Sequence, residues 1–151
     1  HKLLLNLGPE PLGNNWSGAQ LYESIRNRSI PIKSALLNQH IVVGIGNIYA
    51  SEILFRAGIS PKRLAKNISR AMADEIHRQT QNVLFTAIEA GGSTLKDGQF
   101  KQLDGDLGYF PHEFAVYDRE GENCVEPNCQ KRVKKLLQSG RSTFYCSGCQ
   151  R

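Results

Sequence analysis

Apolar residues recur at helical spacing through the first two thirds of the chain. The longest such pattern lies between Ser69 and Ala90, where apolar side chains fall three, four or seven positions apart. This spacing predicts a long helix with one apolar face, and we expect Gly91-Gly92 to end it. The apolar positions are Met72, Ile76, Val83, Leu84, Ala87 and Ile88.

Three shorter helices are predicted before the long one. The first begins at Ser17, which forms a capping box with Gln20 three positions later. The second is expected over Ile32–Gln39, directly after a proline that breaks the first. The third is expected over Asn47–Ala57, with Gly58 closing it.

The remaining segments predict a connector, a loop and a small β module. The first fifteen residues are rich in Gly and Pro, and residues 93–109 show little periodicity. Glu113 to Tyr117 alternates like a strand. The predicted fold is therefore mainly α, with a small β-hairpin module at its end. Its parts are a connector at 1–15, a helical domain at 16–92, a loop at 93–112 and a cysteine-containing module at 113–151.

All four cysteines lie in the last 28 residues, in the order Cys124-x4-Cys129-x16-Cys146-x2-Cys149. Two close thiol pairs separated by a hairpin-sized stretch are typical of a tetrahedral Zn2+ site. The metal would replace a hydrophobic core that so short a segment cannot build. Two disulfides are the alternative, which the close pairing and the cysteine-free remainder disfavour. Four thiolates leave no position for a reactive water, so the predicted site is structural.

The charge distribution points to a polyanionic partner. The formal net charge is +5, but that count treats the cysteines as neutral, so local charge is the stronger argument. No acidic residue occurs between Gln130 and Tyr145, whereas that stretch carries five cations. Nucleic acid is the favoured partner, and a solvated basic face is the alternative. No apolar run approaches the roughly 20 residues that cross a membrane. The cations are Lys131, Arg132, Lys134, Lys135 and Arg141.

Gly44, Gly46 and Asn47 form a glycine-rich turn at the start of the third predicted helix. A dinucleotide-binding fingerprint is excluded, because Tyr49 occupies its third small position and the flanks are helical. The turn still allows an anion to approach the unpaired N–H groups of a helix start. Asn47 is placed either to cap the helix or to donate its amide to a phosphate. The alternative is a tight structural turn between packed helices.

Four separated blocks resemble the bacterial formamidopyrimidine-DNA glycosylases. The run QHIVVGIGNIYASE at 39–52 is similar to their helix–two-turns–helix motif, and GRSTFYCSGCQR at 140–151 to the end of their zinc finger. LGPEPL at 7–12 and GGSTLKD at 91–97 are two further matches in the same order. The resemblance implies a helix–two-turns–helix domain followed by a four-cysteine zinc finger. It also implies a loop at 93–109 that covers the damaged base.

The resemblance further implies a bifunctional DNA glycosylase and AP lyase. Such an enzyme excises oxidised purines such as 8-oxoguanine and formamidopyrimidines from duplex DNA in base excision repair, after flipping the base out of the stack. The family's nucleophile is the amine of an N-terminal proline on a separate domain, and this chain begins with His1. We therefore expect the chain to be the DNA-binding half, inactive alone. A monomer associated with the nucleoid in the bacterial cytoplasm is the expectation for the intact protein.

The resemblance assigns roles to individual residues. Asn47 with the Gly44–Gly46 turn would bind phosphates beside the lesion, and Arg141 would enter the same pocket. Arg141 is also the family's proton donor for δ-elimination. Arg28 aligns with a basic DNA-contacting position, although a solvated cation at a helix end is its alternative. One departure is the first cysteine pair, which has four intervening residues where the family commonly has two, and which is followed by Gln130 instead of glycine.

Two other functions are considered for the chain. One is the sister branch that resembles endonuclease VIII and prefers oxidised pyrimidines. The GGSTLKD block and the LGPEPL connector favour the purine-specific branch. The other is a zinc-containing DNA-binding module without any catalytic activity. A sequence preceding His1 that begins Met-Pro-Glu would favour the catalytic interpretation.

Overall fold

The computed structural model of the chain describes residues 6–97 and 114–151. Within these ranges, four α-helices precede one antiparallel hairpin, and a short 3-10 turn at Ala65–Asn67 lies between the third and fourth helices. The hairpin belongs to residues 114–151, which we call the hairpin module. No described helix is both long and apolar enough to cross a membrane. The elements are α1 (Gly18–Ile25), α2 (Ile32–Leu37), α3 (Asn47–Ala57), α4 (Arg70–Asp97), β1 (Lys134–Gln138) and β2 (Arg141–Tyr145).

Local capping sets the start of α1 and both ends of α3 as the sequence predicts, whereas α2 ends early. The Ser17 hydroxyl accepts from the backbone N–H of Gln20 at 3.3 Å and so begins α1. Helix α3 has the predicted bounds and ends at Gly58, which adopts the left-handed conformation at φ 73°. Helix α2 ends at Leu37, two residues earlier than expected, because Asn38 adopts an extended conformation.

Helix α4 continues to Asp97, so the prediction that Gly91-Gly92 ends it is wrong. Each glycine costs a helix interior only about 1 kcal/mol, which a long helix packed against α1 and α3 can offset. The first five residues of the predicted loop, 93–97, are therefore helical. The rest of that loop lies outside the described residues.

The strand predicted over 113–117 is also wrong for its described part, since 114–117 forms bends and a turn. The backbone N–H groups of Ala115, Val116 and Tyr117 do not join a strand ladder. They all donate to the carboxylate of Glu52 on α3. A single acceptor for three successive donors requires a curved backbone.

Two hydrophobic clusters meet at α3. The larger is formed by the four helices, and Ile53 and Leu54 of α3 are fully buried in it. The smaller lies in the hairpin module, and Phe55 of α3 packs into it together with Val133 and Phe144. Neighbouring residues of α3 therefore anchor both clusters, which fixes the module on the helical part.

The hairpin turn places Arg141 at the start of β2. Ser139 and Gly140 both have positive φ, at 51° and 77°, as a two-residue type I′ turn requires. Gln138 pairs with Arg141 across this turn, and the register continues to Lys134 opposite Tyr145. Strand β2 packs against α3, so the turn reaches the helical part.

Candidate phosphate-binding and metal sites

A buried lysine that the sequence analysis missed lies at the centre of the candidate site. Lys33 on α2 is only 1% exposed. Its Nζ donates to Asn47 Oδ1 at 2.5 Å, to Thr143 Oγ1 at 2.7 Å and to the carbonyl of Ser142 at 3.2 Å. An ammonium group has three donors, and all three are satisfied. Lys33 therefore joins α2, α3 and β2 at one point.

Asn47 is the first residue of α3, and Gly46 is its N-cap. Of the two roles considered for the Asn47 side chain, capping the helix is therefore excluded. Its Nδ2 donates to the carbonyl of Ser142 at 2.9 Å, while its Oδ1 accepts from Lys33. Both ends of the side chain are thus held across the boundary between the helical part and the hairpin module.

Arg141 immediately precedes Ser142 and has an exposed side chain. It lines a shallow cleft together with Lys33 and Ser139, and none of the residues lining this cleft is acidic. Burial, followed by the charge of Arg141, lowers the pKa of Lys33 from 10.5 to about 8. The mutual repulsion of these two cations would be relieved by an anion placed between them. The sequence analysis predicted Asn47 and Arg141 as neighbours, and the structure brings them together through Ser142.

A chain of hydrogen bonds runs from Lys33 through Thr143 and Gln138 to Pro61. Thr143, which is fully buried, accepts from Lys33 and donates to Gln138 Oε1 at 2.8 Å. The amide nitrogen of Gln138 in turn donates to the carbonyl of Pro61 at 3.1 Å. Thr143 and Gln138 each have one donor and one acceptor engaged, which fixes the rotamers around the lysine.

The glycine turn is open toward solvent. A Cβ atom added at Gly44 or Gly46 would meet no heavy atom within 4 Å. Gly44 has φ 86°, and its N–H donates to Gln39 Oε1 at 2.8 Å. The start of α3 is therefore accessible to a ligand, while Gly44 shapes the turn.

Arg28 lies in the segment after α1 and does not contact the Lys33 cluster. Its Nε donates to the carbonyl of Ser24 at 3.0 Å, which satisfies an acceptor at the end of α1. Its own carbonyl accepts from the backbone N–H of Lys66 at 2.9 Å. The side chain is otherwise exposed.

The four cysteines form a candidate metal centre. Their sulfur atoms all lie within 4.8 Å of one another. Cys124 and Cys149 are 3.7 Å apart, and Cys129 and Cys146 are 3.6 Å apart. A tetrahedral ion with bonds of about 2.3 Å separates its sulfur ligands by about 3.8 Å, whereas a disulfide requires about 2.05 Å. The donor set fits a tetrahedral metal, and the disulfide alternative is excluded.

Burial and hydrogen bonding act on these thiols in opposite directions. Burial raises the pKa of Cys124 and of Cys149, whereas the backbone N–H of Lys131 lowers the pKa of Cys129. A divalent cation among the sulfurs would favour the thiolate form of all four. Val125 to Asn128, which widen the first pair, are exposed.

The metal centre is tied to α3 through Gln150. This buried side chain accepts from the backbone N–H of Cys146 at 2.7 Å and donates to the carbonyl of Ile59 at 3.0 Å. The backbone N–H of Arg151 also donates to the carbonyl of Gly58 at 3.0 Å. These hydrogen bonds fix the position of Cys146, one of the four candidate ligands, relative to the C-terminal end of α3, the helix that begins at Asn47.

A family model of the formamidopyrimidine-DNA glycosylase H2TH domain matches residues 7–99. The chain belongs to this family. It is 55% identical over all of its residues to the formamidopyrimidine-DNA glycosylase of Cereibacter sphaeroides (strain ATCC 17029 / ATH 2.4.9), and 54% identical to that of Ruegeria pomeroyi. It covers 53% of each of these proteins, so it spans about half their length.

Solved structures of the family have the same fold. The MutM (Fpg) protein from Thermus thermophilus superimposes with a TM-score of 0.82 at 42% identity, over 99% of this chain and 55% of that one. The Lactococcus lactis Fpg in complex with DNA containing an abasic site gives a TM-score of 0.82 at 30% identity, over 99% and 54%. The predicted family and fold class are confirmed.

Glu52 is the second functional candidate that the sequence analysis missed. Its carboxylate is 1% exposed and accepts three backbone N–H bonds from the hairpin module at 2.8 to 2.9 Å, besides an ion pair with Arg56 at 3.3 Å. In this family member, α3 therefore holds the hairpin module at its start, its middle and its end.

The burial of Lys33 does have a sequence signal. Lys33 precedes Leu36 and Leu37 at helical spacing and so falls on an apolar face of the helix.

Proposed function

We propose that this chain is the DNA-binding half of a bifunctional DNA glycosylase and AP lyase that excises oxidised purines in base excision repair. The observation that carries the proposal is the cluster formed by Lys33, Asn47 and Arg141 at the start of α3. The two cations line a cleft without acidic residues, and one of them, Lys33, is hydrogen-bonded to Asn47 at the start of α3. Family membership and the damaged DNA bound by the Lactococcus lactis Fpg support the same partner.

The cluster would grip the phosphates beside the lesion. The start of α3 and the second N–H of the Asn47 amide would face one phosphate, and Arg141 would neutralise it from the hairpin side. Holding the backbone on both sides stabilises a kinked strand, and a kinked strand lowers the cost of flipping a base out of the stack. Gly44 and Gly46 allow the close approach. Arg28 is included as a further phosphate contact, on the strength of the resemblance.

Arg141 is the family's proton donor for δ-elimination, and we retain that role by resemblance. A guanidinium group is a poor acid, so its physical contribution is charge neutralisation. Catalysis by the intact protein would require the N-terminal proline and glutamate that this family carries on a separate domain. The chain alone would bind damaged duplex DNA without cleaving it.

The metal would be a single structural Zn2+ held by Cys124, Cys129, Cys146 and Cys149. Four thiolates complete its coordination, so the ion supplies no activated water. Its contribution is to hold both ends of the hairpin, and with them Arg141, against α3. Because the partner is DNA, we place the intact protein in the bacterial cytoplasm with the nucleoid, and as a monomer.

The test compares this chain, loaded with zinc, with the full-length protein from the same source. Fluorescence anisotropy should show that the chain binds a duplex carrying an abasic-site analogue more tightly than the undamaged duplex. Borohydride should trap no imine with the chain and should trap one with the full-length protein. Equal affinity for both duplexes would contradict lesion-linked binding, and a trapped complex with the chain would show that its chemistry has been misassigned.

Lesion preference requires a second assay on the full-length protein. Duplexes with 8-oxoguanine and with thymine glycol should be cleaved at different rates, the first faster. Faster cleavage of thymine glycol would favour the endonuclease VIII-like alternative. An inactive full-length protein that still binds DNA would favour the non-catalytic zinc module.

A further inference from the structure

The cations of this chain are segregated along the sequence to an unusual degree. Three segments, 24–51, 53–73 and 127–151, contain fourteen of the 19 Lys and Arg residues and none of the 14 Asp and Glu residues. Glu52, the acid between the first two, is buried and engaged with backbone N–H groups. Segments of one sign repel each other when they pack together, so their proximity is costly without an anionic partner.

The fold nevertheless packs these three segments against one another. The backbone N–H of Ile32 donates to the carbonyl of Arg63 at 2.7 Å, and that of Lys66 to the carbonyl of Arg28 at 2.9 Å. Residues 28–32 and 63–66 therefore run side by side. The third segment joins them where Gln138 donates to the carbonyl of Pro61. Hydrogen bonds thus join the three cation-bearing segments into one continuous stretch.

Two lysines on this stretch have no role in the phosphate site. Lys62 and Lys66 are both exposed, and neither forms an ion pair within the described residues. Lys62 Nζ lies 5.3 Å from the centre of the Tyr145 ring, a cation–π contact that orients the ammonium beside the hairpin. Nearby Arg70, by contrast, pairs with Asp74 at 3.2 Å.

We propose that Lys62 and Lys66 form a second DNA-backbone contact, next to Arg28, that binds the duplex flanking the lesion. We call these two lysines the flank patch. The proposal rests on the proposed function, because it extends the grip of the Lys33 cluster along the same duplex. Continuity with that cluster favours DNA over any other polyanion.

The dimensions of the patch fit a duplex. Lys62 and Lys66 are four positions apart, so their Cα atoms are separated by at most about 14 Å, and one strand of B-DNA presents a phosphate about every 3.4 Å along its axis. The two lysines can therefore contact phosphates up to about four base pairs apart. A duplex that ends at the Lys33 cluster would be bound by the cluster alone.

The test measures how DNA affinity depends on salt for the zinc-loaded chain. Two duplexes carry the same central abasic-site analogue, one of roughly 8 base pairs and one of roughly 24. The variants are Lys62→Ala/Lys66→Ala and, as a control, Arg78→Ala. Arg78 is an exposed cation on α4 that pairs with Glu75 and lies outside the three segments.

On the long duplex, the double variant should have a salt slope shallower by about two units, since each lost phosphate contact removes about 0.9. On the short duplex its slope should match that of the unsubstituted chain, and Arg78→Ala should change neither. An unchanged slope on the long duplex would overturn the flank patch while leaving the proposed function intact. An equal effect on both duplexes would overturn its placement beyond the cluster.

A second experiment tests whether an anionic lipid surface, instead of DNA, is the partner of the flank patch. Vesicles containing phosphatidylserine should not bind the chain at a salt concentration where the long duplex does. Vesicle binding that the double variant abolishes, with no effect on the long duplex, would overturn the assignment to DNA. If the unsubstituted chain binds neither duplex, the proposed function fails together with the flank patch.

Discussion

The side-chain amide of Asn47 and the backbone carbonyl of Ser142 lie 2.9 Å apart and join the start of α3 to the hairpin. The two residues are 95 positions apart in the sequence. Because Arg141 directly precedes Ser142, this hydrogen bond also sets where the guanidinium can reach. The geometry therefore makes one site out of a helix start and a hairpin turn.

Replacing Arg141 tests whether its charge meets a phosphate. Arg141→Ala should weaken DNA binding with little dependence on sequence and make the salt slope shallower by about one unit. Arg141→Lys retains the charge and should restore most of the slope, though not the bidentate geometry. Filter binding across a range of salt concentrations measures both. An unchanged slope in Arg141→Ala would mean that the guanidinium does not contact a phosphate.

The lowered pKa of Lys33 predicts how DNA binding depends on pH. With a pKa of about 8 in the folded chain, Lys33 is charged at pH 7 and loses its proton above pH 8. A bound phosphate favours the charged form, so the complex keeps a proton that the free chain releases. DNA affinity should consequently be flat below pH 7 and fall as the pH rises past 8. Lys33→Met should bind more weakly at pH 7 and lose this dependence.

The lowered pKa of Lys33 predicts the opposite pH dependence for the stability of the folded chain. In the unfolded chain the Lys33 pKa is near 10.5, so between pH 8 and 10.5 the unfolded state binds more protons than the folded state. The contribution of Lys33 to stability therefore rises with pH over that window. Urea denaturation of the chain and of Lys33→Met at pH 7 and pH 9.5 isolates this contribution. Stability that falls in this window relative to the variant would contradict the lowered pKa.

The two glycines of the turn should respond differently to alanine. Gly46 has φ −93°, which any residue adopts, and its added Cβ meets nothing. Gly46→Ala should therefore cost at most about 1 kcal/mol of stability, yet weaken DNA binding roughly tenfold by blocking a charge-assisted hydrogen bond. Gly44→Ala should mainly destabilise, by about 1–2 kcal/mol, because its φ is 86°. Unfolding curves and binding isotherms of both variants separate the effects.

Zinc should control DNA binding through the hairpin. Cys149→Ser replaces one thiolate with a poor ligand, so zinc content should fall and the hairpin should loosen. Ser147→Ala, an exposed change within the same turn, is the matched control and should retain the metal. Metal analysis and anisotropy on each protein test the coupling. Full zinc occupancy in Cys149→Ser would require another ligand set.

Sequence periodicity predicts most of the helical fold because it reports on local apolar faces. The bounds of α3 follow from glycines at both of its ends. Helix α4 shows the limit of such local signals. It continues through Gly91-Gly92 because its packing against α1 and α3 offsets the free-energy cost of the two glycines. Lys33 and Glu52 escape prediction for a different reason. Their partners lie about 110 and 63 residues away in the sequence, so no local pattern can reveal that a buried charge is satisfied.

Glu52 should be the strongest stabilising contact between the helical part and the hairpin module. Its carboxylate accepts from Ala115, Val116 and Tyr117 while 1% exposed. An amide at this position keeps one acceptor oxygen, but its NH2 group faces backbone donors. Glu52→Gln should therefore cost about 3 kcal/mol, whereas Glu75→Gln, on the surface of α4, should cost less than about 0.5 kcal/mol.

Chemical denaturation and DNA binding of Glu52→Gln should be measured together, because the two readouts separate docking from local packing. If α3 holds the hairpin module through Glu52, the variant should retain its zinc, since no ligand contacts Glu52, and still bind DNA more weakly. The weaker binding follows because Arg141 is positioned by the docked hairpin. Lost stability with unchanged DNA affinity would show that Asn47 and Ser142 suffice to position the hairpin. Lost zinc would instead place the defect within the module itself.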